Sequence, residues 1–196
     1  TADRPRAAPI PETLQAAPSP YVRKSVANHL NDIAKDRPDW LLDRLAGWPT
    51  DDARAAWIVR HALRTLIKQG DVRALALIGV RHGAAVAVRP FSVAPQAVRL
   101  GDSIAIAAEL RSTSREAQRL VVDYRIHYAR AGGKVGAKVF KLKSFDLAAG
   151  ADAALAIRQV IRVFTTRRHY PGRHEVELIV NGETLARDAF DIVPPR

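Results

Sequence analysis

Residues 18–42, PSPYVRKSVANHLNDIAKDRPDWLL, decide the class of fold at the start of the chain. Apolar residues recur there at the 3.6-residue spacing of one helix face, at Val22, Val26, Leu30 and Ile33. Pro38 lacks the amide N–H that a helix interior needs, but it fits a first helical turn. The stretch therefore predicts one helix that ends before Pro38 and a second that continues to about Ala46.

The residues that follow predict two more helices. Thr50 is expected to be the N-cap of the next one, because its hydroxyl can accept a hydrogen bond from the first turn. This helix is expected to run to about Gln69, with Gly70 as a C-cap that tolerates a left-handed backbone. A short helix over Val72–Ile78 completes the set. Residues 1–83 are thus predicted to be helical.

A short internal similarity suggests how these helices are arranged. Val22–Val26 aligns with Val59–Leu63 about 37 residues later, close to the length of one HEAT-like helix pair. Two copies fit HEAT-like repeats, and they also fit a short helical bundle. We predict HEAT-like repeats over residues 20–82, with residues 1–19 as the remnant of a preceding repeat or a linker.

From residue 84 onward the hydrophobic rhythm changes from helical to alternating. Alternation recurs in segments separated by glycine-containing turns: 103–110, 120–128, 138–145, 154–163, 175–180 and 185–192. Asn181-Gly182 between two such segments is a strong hairpin signal. About seven short strands in this spacing indicate an immunoglobulin-like β-sandwich over residues 84–196. His174 then falls on the corner before a core strand, and we expect a structural role for it.

Composition bounds the function. Lys and Arg outnumber Asp and Glu by 31 to 20, which gives a net charge of +11. Such an excess favours polyanionic partners, although a basic protein without one is also consistent with it. Cysteine is absent, which excludes disulfides and Cys-ligated zinc. No apolar run approaches a membrane span, and no phosphate loop or metalloprotease motif occurs. We expect no cofactor and no metal site.

Polar stripes on two of the helices are the candidate binding surface. They combine cations, amides and an aromatic residue, which suits contact with a phosphate backbone, although ordinary solvated helix faces can look the same. The predicted DNA-binding residues are Arg23, Lys24, Asn28, Asn31, Trp57, Arg60, His61, Arg64 and Lys68.

Two further sets of residues are weaker candidates. Asp32 lies beside the first stripe, where its carboxylate could stabilise a cationic sugar. A salt bridge with a neighbouring Arg or Lys side chain is the simpler expectation. Basic residues near the ends of predicted strands form a second DNA-binding set, or serve solubility alone: Lys134, Lys138, Arg167 and Arg168.

The longest polar block resembles a known family. Tyr21–Lys35, followed by a proline and a second helix, is similar to the AlkC branch of the alkylation-repair DNA glycosylases. Trp57–Lys68, ending in Gly70-Asp71, resembles the next repeat of that family. Some members carry an immunoglobulin-like domain after their helical repeats, which is the order predicted here.

The resemblance implies a function. Family members excise N-alkylated bases such as 3-methyladenine and cradle duplex DNA on a concave surface of HEAT-like repeats. They have further repeats before the matching block, and the catalytic carboxylate is expected at least partly there. Since the chain also lacks an initiator methionine, we expect a C-terminal fragment that binds alkylated duplex DNA, with little activity alone.

Several expectations accompany this reading. The protein is expected in the bacterial cytoplasm with the nucleoid, without a membrane or an obligate protein partner. An internal cut would leave Leu14 and the Val22–Ile33 stripe partly uncovered, which would permit self-association. The alternative is a non-catalytic helical-repeat and immunoglobulin-like module that binds a protein.

Overall fold

The computed structural model describes residues 14–162 and 169–194, so Arg167 and Arg168 lie outside the described residues. The chain divides into two compact units, Thr1–Val80 and Arg81–Arg196. The first is helical and the second is made of strands. The predicted fold class, helices followed by an immunoglobulin-like sandwich, is confirmed.

The described part of the first unit contains five helices. Their bounds are α1 Pro20–Asp36, α2 Pro38–Ala46, α3 Ala53–Ala62, α4 Arg64–Gln69 and α5 Val72–Leu77. The prediction that Pro38 separates two helices is confirmed. Gly70 adopts φ 79° at the end of α4, the left-handed conformation that glycine accommodates without strain.

Two helix boundaries differ from prediction. The N-cap of α3 is Asp52 rather than Thr50, because the Asp52 carboxylate accepts the backbone N–H groups of Arg54 and Ala55. Those two hydrogen bonds are the largest causes that lower the pKa of Asp52. The single helix expected up to Gln69 is broken at Leu63, which has φ −84° and ψ 2° and separates α3 from α4.

The core of the helical unit is aliphatic. Its largest fully buried side chains are Leu41, Leu42, Leu45, Ile58, Leu63 and Leu75. The expectation that the apolar stripe of α1 is uncovered is wrong for Val26 and Leu30, which are 6% and 3% exposed. Leu14 is half-buried. Val22 and Ile33 are half-buried as well, so the stripe is partly uncovered at its two ends, and self-association stays a prediction.

The described part of the second unit contains eight strands. They are β1 Val86–Ala94, β2 Ala97–Val98, β3 Ser103–Ser112, β4 Gln118–Ala129, β5 Val135–Leu147, β6 Asp152–Val160, β7 Gly172–Val180 and β8 Glu183–Ile192. One sheet has the order β1-β3-β6 and the other β2-β8-β7-β4-β5. All pairs are antiparallel except β2 with β8. β1 and β2 were not predicted.

Side chains from both sheets fill the space between them. One cluster includes Ile104 and Ile106 from β3 with Tyr124 and Ile126 from β4. A second joins Leu110 and Leu155 of the three-stranded sheet to residues of β4 and β7. Alternation along each strand places these residues on the inner face, which is the pattern expected of a sandwich.

Two polar residues complete this core. His174 is fully buried, stacks on Phe190 with ring centroids 5.2 Å apart, and its Nε2–H donates to the carbonyl of Tyr170 at 3.0 Å. The predicted structural role of His174 is confirmed. Asn181, in the β7–β8 turn, is buried with φ 48°. Its side chain accepts the N–H of Val121 and donates to the carbonyls of Arg81 and Arg119.

Candidate nucleic-acid interface

The helical unit presents two neighbouring polar surfaces, one on α1 and one on α3–α4. Lys24 of α1 and Arg64 of α4 both lower the pKa of His61 on α3, although burial of the imidazole is the larger cause. The charge of Arg64 also lowers the pKa of the Asp32 carboxyl group on α1. Since these effects act over short distances, Lys24, His61 and Arg64 lie near one another, and we call this part of α1, α3 and α4 the shared surface.

Asn31 is not part of that surface, and its predicted exposure is wrong. It is 3% exposed, and its Oδ1 accepts a hydrogen bond from the hydroxyl of Thr65 at 2.9 Å. Thr65 belongs to α4, so the pair fixes α1 against α4. Helical spacing placed Asn31 within the polar stripe of α1, but α4 packs against that part of the helix.

Two of the predicted arginines donate hydrogen bonds to backbone carbonyl groups. Arg23 donates from its guanidinium to the carbonyls of Ala17 and Pro18, at 2.8 and 2.7 Å, and so holds the turn before α1. Arg64 donates to the carbonyl of His61 at 2.7 Å, where α3 ends. Each guanidinium has five N–H groups, so further contacts stay available.

The remaining members are accessible. Lys24, Arg60 and Lys68 are exposed, and Asn28 is half-buried. Trp57 is 39% exposed and stacks on His61 one helical turn later, with ring centroids 4.8 Å apart and 9° between the ring planes. The helical unit therefore presents cations, an amide and an aromatic residue on α1, α3 and α4.

Asp32 is exposed and forms the predicted salt bridge, with its Oδ1 2.7 Å from the Lys35 ammonium. The hydrogen bond from Lys35 is the largest cause that lowers the pKa of Asp32, followed by the charge of the same residue. The carboxylate is therefore ionised at neutral pH and cannot serve as a proton donor. The Asp32 side chain is open to solvent.

One group of cations in the sandwich lies along β5 and in the turn before it. Lys134 is exposed, and its carbonyl accepts the backbone N–H of Arg130 at 2.8 Å. The Lys138 ammonium lies 4.8 Å from the centroid of the Phe140 ring. Lys143, which sequence reasoning missed, lies similarly over Phe145 at 5.2 Å. Period-two spacing from Lys141 to Lys143 could have indicated this basic strand.

Some classes of site are not found. No group of three or more His, Asp or Glu residues suited to a metal ion occurs within residues 14–162 and 169–194. No helix in the described part of the chain is long and apolar enough to cross a membrane.

Comparison with known protein families finds a match for the sandwich. Residues 87–194 match the family described as "Uncharacterised protein YhaZ, C-terminal Ig-like domain". The chain belongs to this YhaZ family. Protein YhaZ of Bacillus subtilis (strain 168) is 35% identical over 183 residues, which is 93% of this chain and 50% of that protein.

A solved structure extends the similarity across both units. It is the alkylpurine DNA glycosylase AlkC of Pseudomonas fluorescens, bound to DNA containing an abasic site analog. It is 49% identical with a TM-score of 0.94, and the match covers 98% of this chain and 54% of AlkC. The resemblance to AlkC that the residues indicated is therefore confirmed. This YhaZ-family chain spans about half the length of both relatives.

Proposed function

We propose that this chain is the C-terminal, DNA-binding part of an alkylation-repair DNA glycosylase. The observation that carries the proposal is the similarity to AlkC in complex with DNA, at 49% identity over 98% of this chain. Similarity at this level over both units supports a shared partner, duplex DNA. The protein would then act on cytoplasmic DNA.

The shared surface of α1, α3 and α4 supplies the chemistry for such binding. Exposed cations contact phosphate oxygens and displace condensed counterions, which gives affinity without sequence preference. The Asn28 amide and the N–H groups that Arg64 has left can fix the position of the backbone. We assign phosphate contacts to Lys24, Arg60 and Lys68, with Arg23 in a supporting position.

The sandwich adds a second basic region in this proposal. Lys134 lies beside β5 and Lys138 on it, and the ammonium groups of Lys138 and Lys143 lie over the rings of Phe140 and Phe145. Their contribution to DNA binding is expected to be smaller than that of the helical unit, because the Lys138 ammonium already lies over the Phe140 ring.

The reaction we propose for the longer protein is hydrolysis of the N-glycosidic bond of N-alkylated bases such as 3-methyladenine. An N3-alkylated purine is cationic and leaves readily, so little acid catalysis is needed. A carboxylate that stabilises the oxocarbenium-like sugar and orients a water would complete the site. Asp32 is paired with Lys35 and open to solvent, so we do not assign it that role. We expect this chain alone to bind DNA and release no base.

The test is duplex binding by the 196-residue chain, followed by fluorescence anisotropy of labelled DNA. The combined change Lys24→Ala and Arg60→Ala should weaken binding, whereas the control Arg37→Ala, an exposed cation outside the stripes, should not. Equal affinities for all three proteins would refute phosphate binding through this surface. If the chain bound an acidic protein but no duplex, the protein-binding alternative would replace the proposal.

A further inference from the structure

The Trp57–His61 stack is an unusual feature for a basic surface. Trp57 is a large aromatic residue with 39% of its surface exposed, although the helical core lies directly behind α3. One face of its ring is covered by His61, 4.8 Å away between centroids and 9° from parallel. The exposed part of the indole therefore points away from the stack and is open to a partner.

The two stacked rings are uncharged and lie close to the cations Lys24 and Arg64. Burial is the main cause that lowers the pKa of His61 below 6.5, and the charges of Arg64 and Lys24 lower it further. His61 is consequently neutral at physiological pH. The charged groups that face it are Lys24 from α1 and Arg64 from α4, and both are positive. A ligand that fits here carries negative charge on its flanks and an apolar, planar centre.

A nucleotide whose base is not stacked on a neighbour has that chemistry. Its phosphates are anionic, and each base has a π-face that an indole can cover. In an intact duplex, both faces of a base are occupied by adjacent bases. An aromatic side chain therefore gains a stacking partner only where a step of the duplex is opened.

Resting on the proposed DNA binding, we propose that the Trp57–His61 stack is a stacking platform for an unstacked nucleotide. Lys24 and Arg60 hold the flanking phosphates, and the hydrogen bond from Arg64 to the His61 carbonyl keeps the end of α3 in place. The surface then distinguishes opened DNA from intact duplex, which phosphate contacts alone cannot do.

Trp40 provides a matched control. It is 38% exposed, almost the same as Trp57, and it belongs to the same helical unit. It lies on α2 between Asp39 and Asp43, which share the single cation Arg73, so the charge beside this ring is negative on balance. Replacing either tryptophan removes a similar area of exposed indole, but only the change at Trp57 alters the proposed platform.

The experiment compares an intact duplex with the same duplex carrying a one-nucleotide gap, at one salt concentration. The unaltered chain should prefer the gapped DNA by about fivefold or more, the effect of one base–aromatic contact. Trp57→Ala should abolish the preference, Trp57→Phe should retain part of it, and Trp40→Ala should leave it unchanged. Tryptophan emission should be quenched by gapped DNA, and that quenching should vanish in Trp57→Phe.

Each outcome bears on one claim. A preference that survives in Trp57→Ala, or quenching that persists in Trp57→Phe, would overturn the platform while leaving DNA binding intact. An unaltered chain that binds both DNAs equally would do the same. A chain that binds neither DNA would overturn the proposed function itself. If Trp57→Ala failed to fold, the Trp57→Phe quenching would decide the matter.

Discussion

The helical unit and the sandwich use their polar side chains in opposite ways. In the helical unit, Lys24, Trp57 and Arg60 are exposed, and the core is aliphatic. In the sandwich, His174 and Asn181 are buried and hydrogen-bonded to backbone. These polar residues are thus accessible to a partner in the first unit and contribute to the fold in the second.

This contrast predicts that the largest loss of stability follows a change at Asn181. Asn181→Ala removes its three hydrogen bonds and places alanine at φ 48°, which together should cost about 4 kcal/mol of the free energy of unfolding. Asn181→Gly should cost less, because glycine tolerates that φ. Urea denaturation of both variants measures the difference. Two equal losses would contradict the backbone part of the argument.

The next largest effect is expected at His174. Its Nδ1 accepts the N–H of Ala129 at 3.3 Å, and the opposite nitrogen donates to Tyr170, so only the neutral tautomer satisfies both. His174→Ala leaves a cavity beside Phe190 and unpaired backbone groups, with an expected loss of about 3 kcal/mol. His29→Ala, at an exposed histidine of α1, is the control and should change little. Comparable losses in the two variants would contradict the contrast.

His174 also predicts a pH dependence. Burial lowers its pKa from the ordinary 6.5, and the hydrogen bond to the Tyr170 carbonyl offsets this only partly. The unfolded chain therefore takes up a proton at a pH where the folded chain does not. The free energy of unfolding should fall as pH decreases below 6.5, and it should fall less in His174→Phe. Parallel curves for the two proteins would show that another group is responsible.

Asn31 is a polar residue of the helical unit that is buried, unlike the exposed cations of α1 and α3, so it tests the contrast from the other side. Asn31→Ala leaves the Thr65 hydroxyl without its partner inside the α1–α4 contact, and should cost about 1.5 kcal/mol. Asn28→Ala, one turn earlier and half-buried, should cost less than about 0.5 kcal/mol. DNA affinity should respond in the reverse order. A larger effect of Asn31→Ala on binding would restore its original assignment.

The architecture could be predicted from the sequence because the hydrophobic periodicity and the helix-breaking and turn residues were clear. Pro38, Gly70 and the Asn181-Gly182 turn each impose a backbone geometry that few alternatives satisfy. β1 was missed because Arg89-Pro90 interrupts its alternation, and proline within a run argues against a strand. The structure accommodates Pro90 at an irregularity between Val88 and Phe91, where the pairing with β3 shifts.

The binding surface was predicted less completely. Spacing along one helix identifies which residues share a face, but it does not show what the neighbouring helix covers. That is why Asn31 was placed outside and is inside. The same limit applies to Arg23 and Arg64, whose hydrogen bonds go to the carbonyls of Ala17, Pro18 and His61. Tertiary contacts decide these cases.

The central claim is that exposed cations of the helical unit bind the DNA backbone. The most direct test is the slope of log K against log salt concentration for duplex binding. The unaltered chain should show a steep negative slope. Lys24→Ala combined with Arg60→Ala should reduce it by about 1.8, since each phosphate contact contributes about 0.9. The stability of this variant should be unchanged. A slope identical to that of the unaltered chain would contradict the claim.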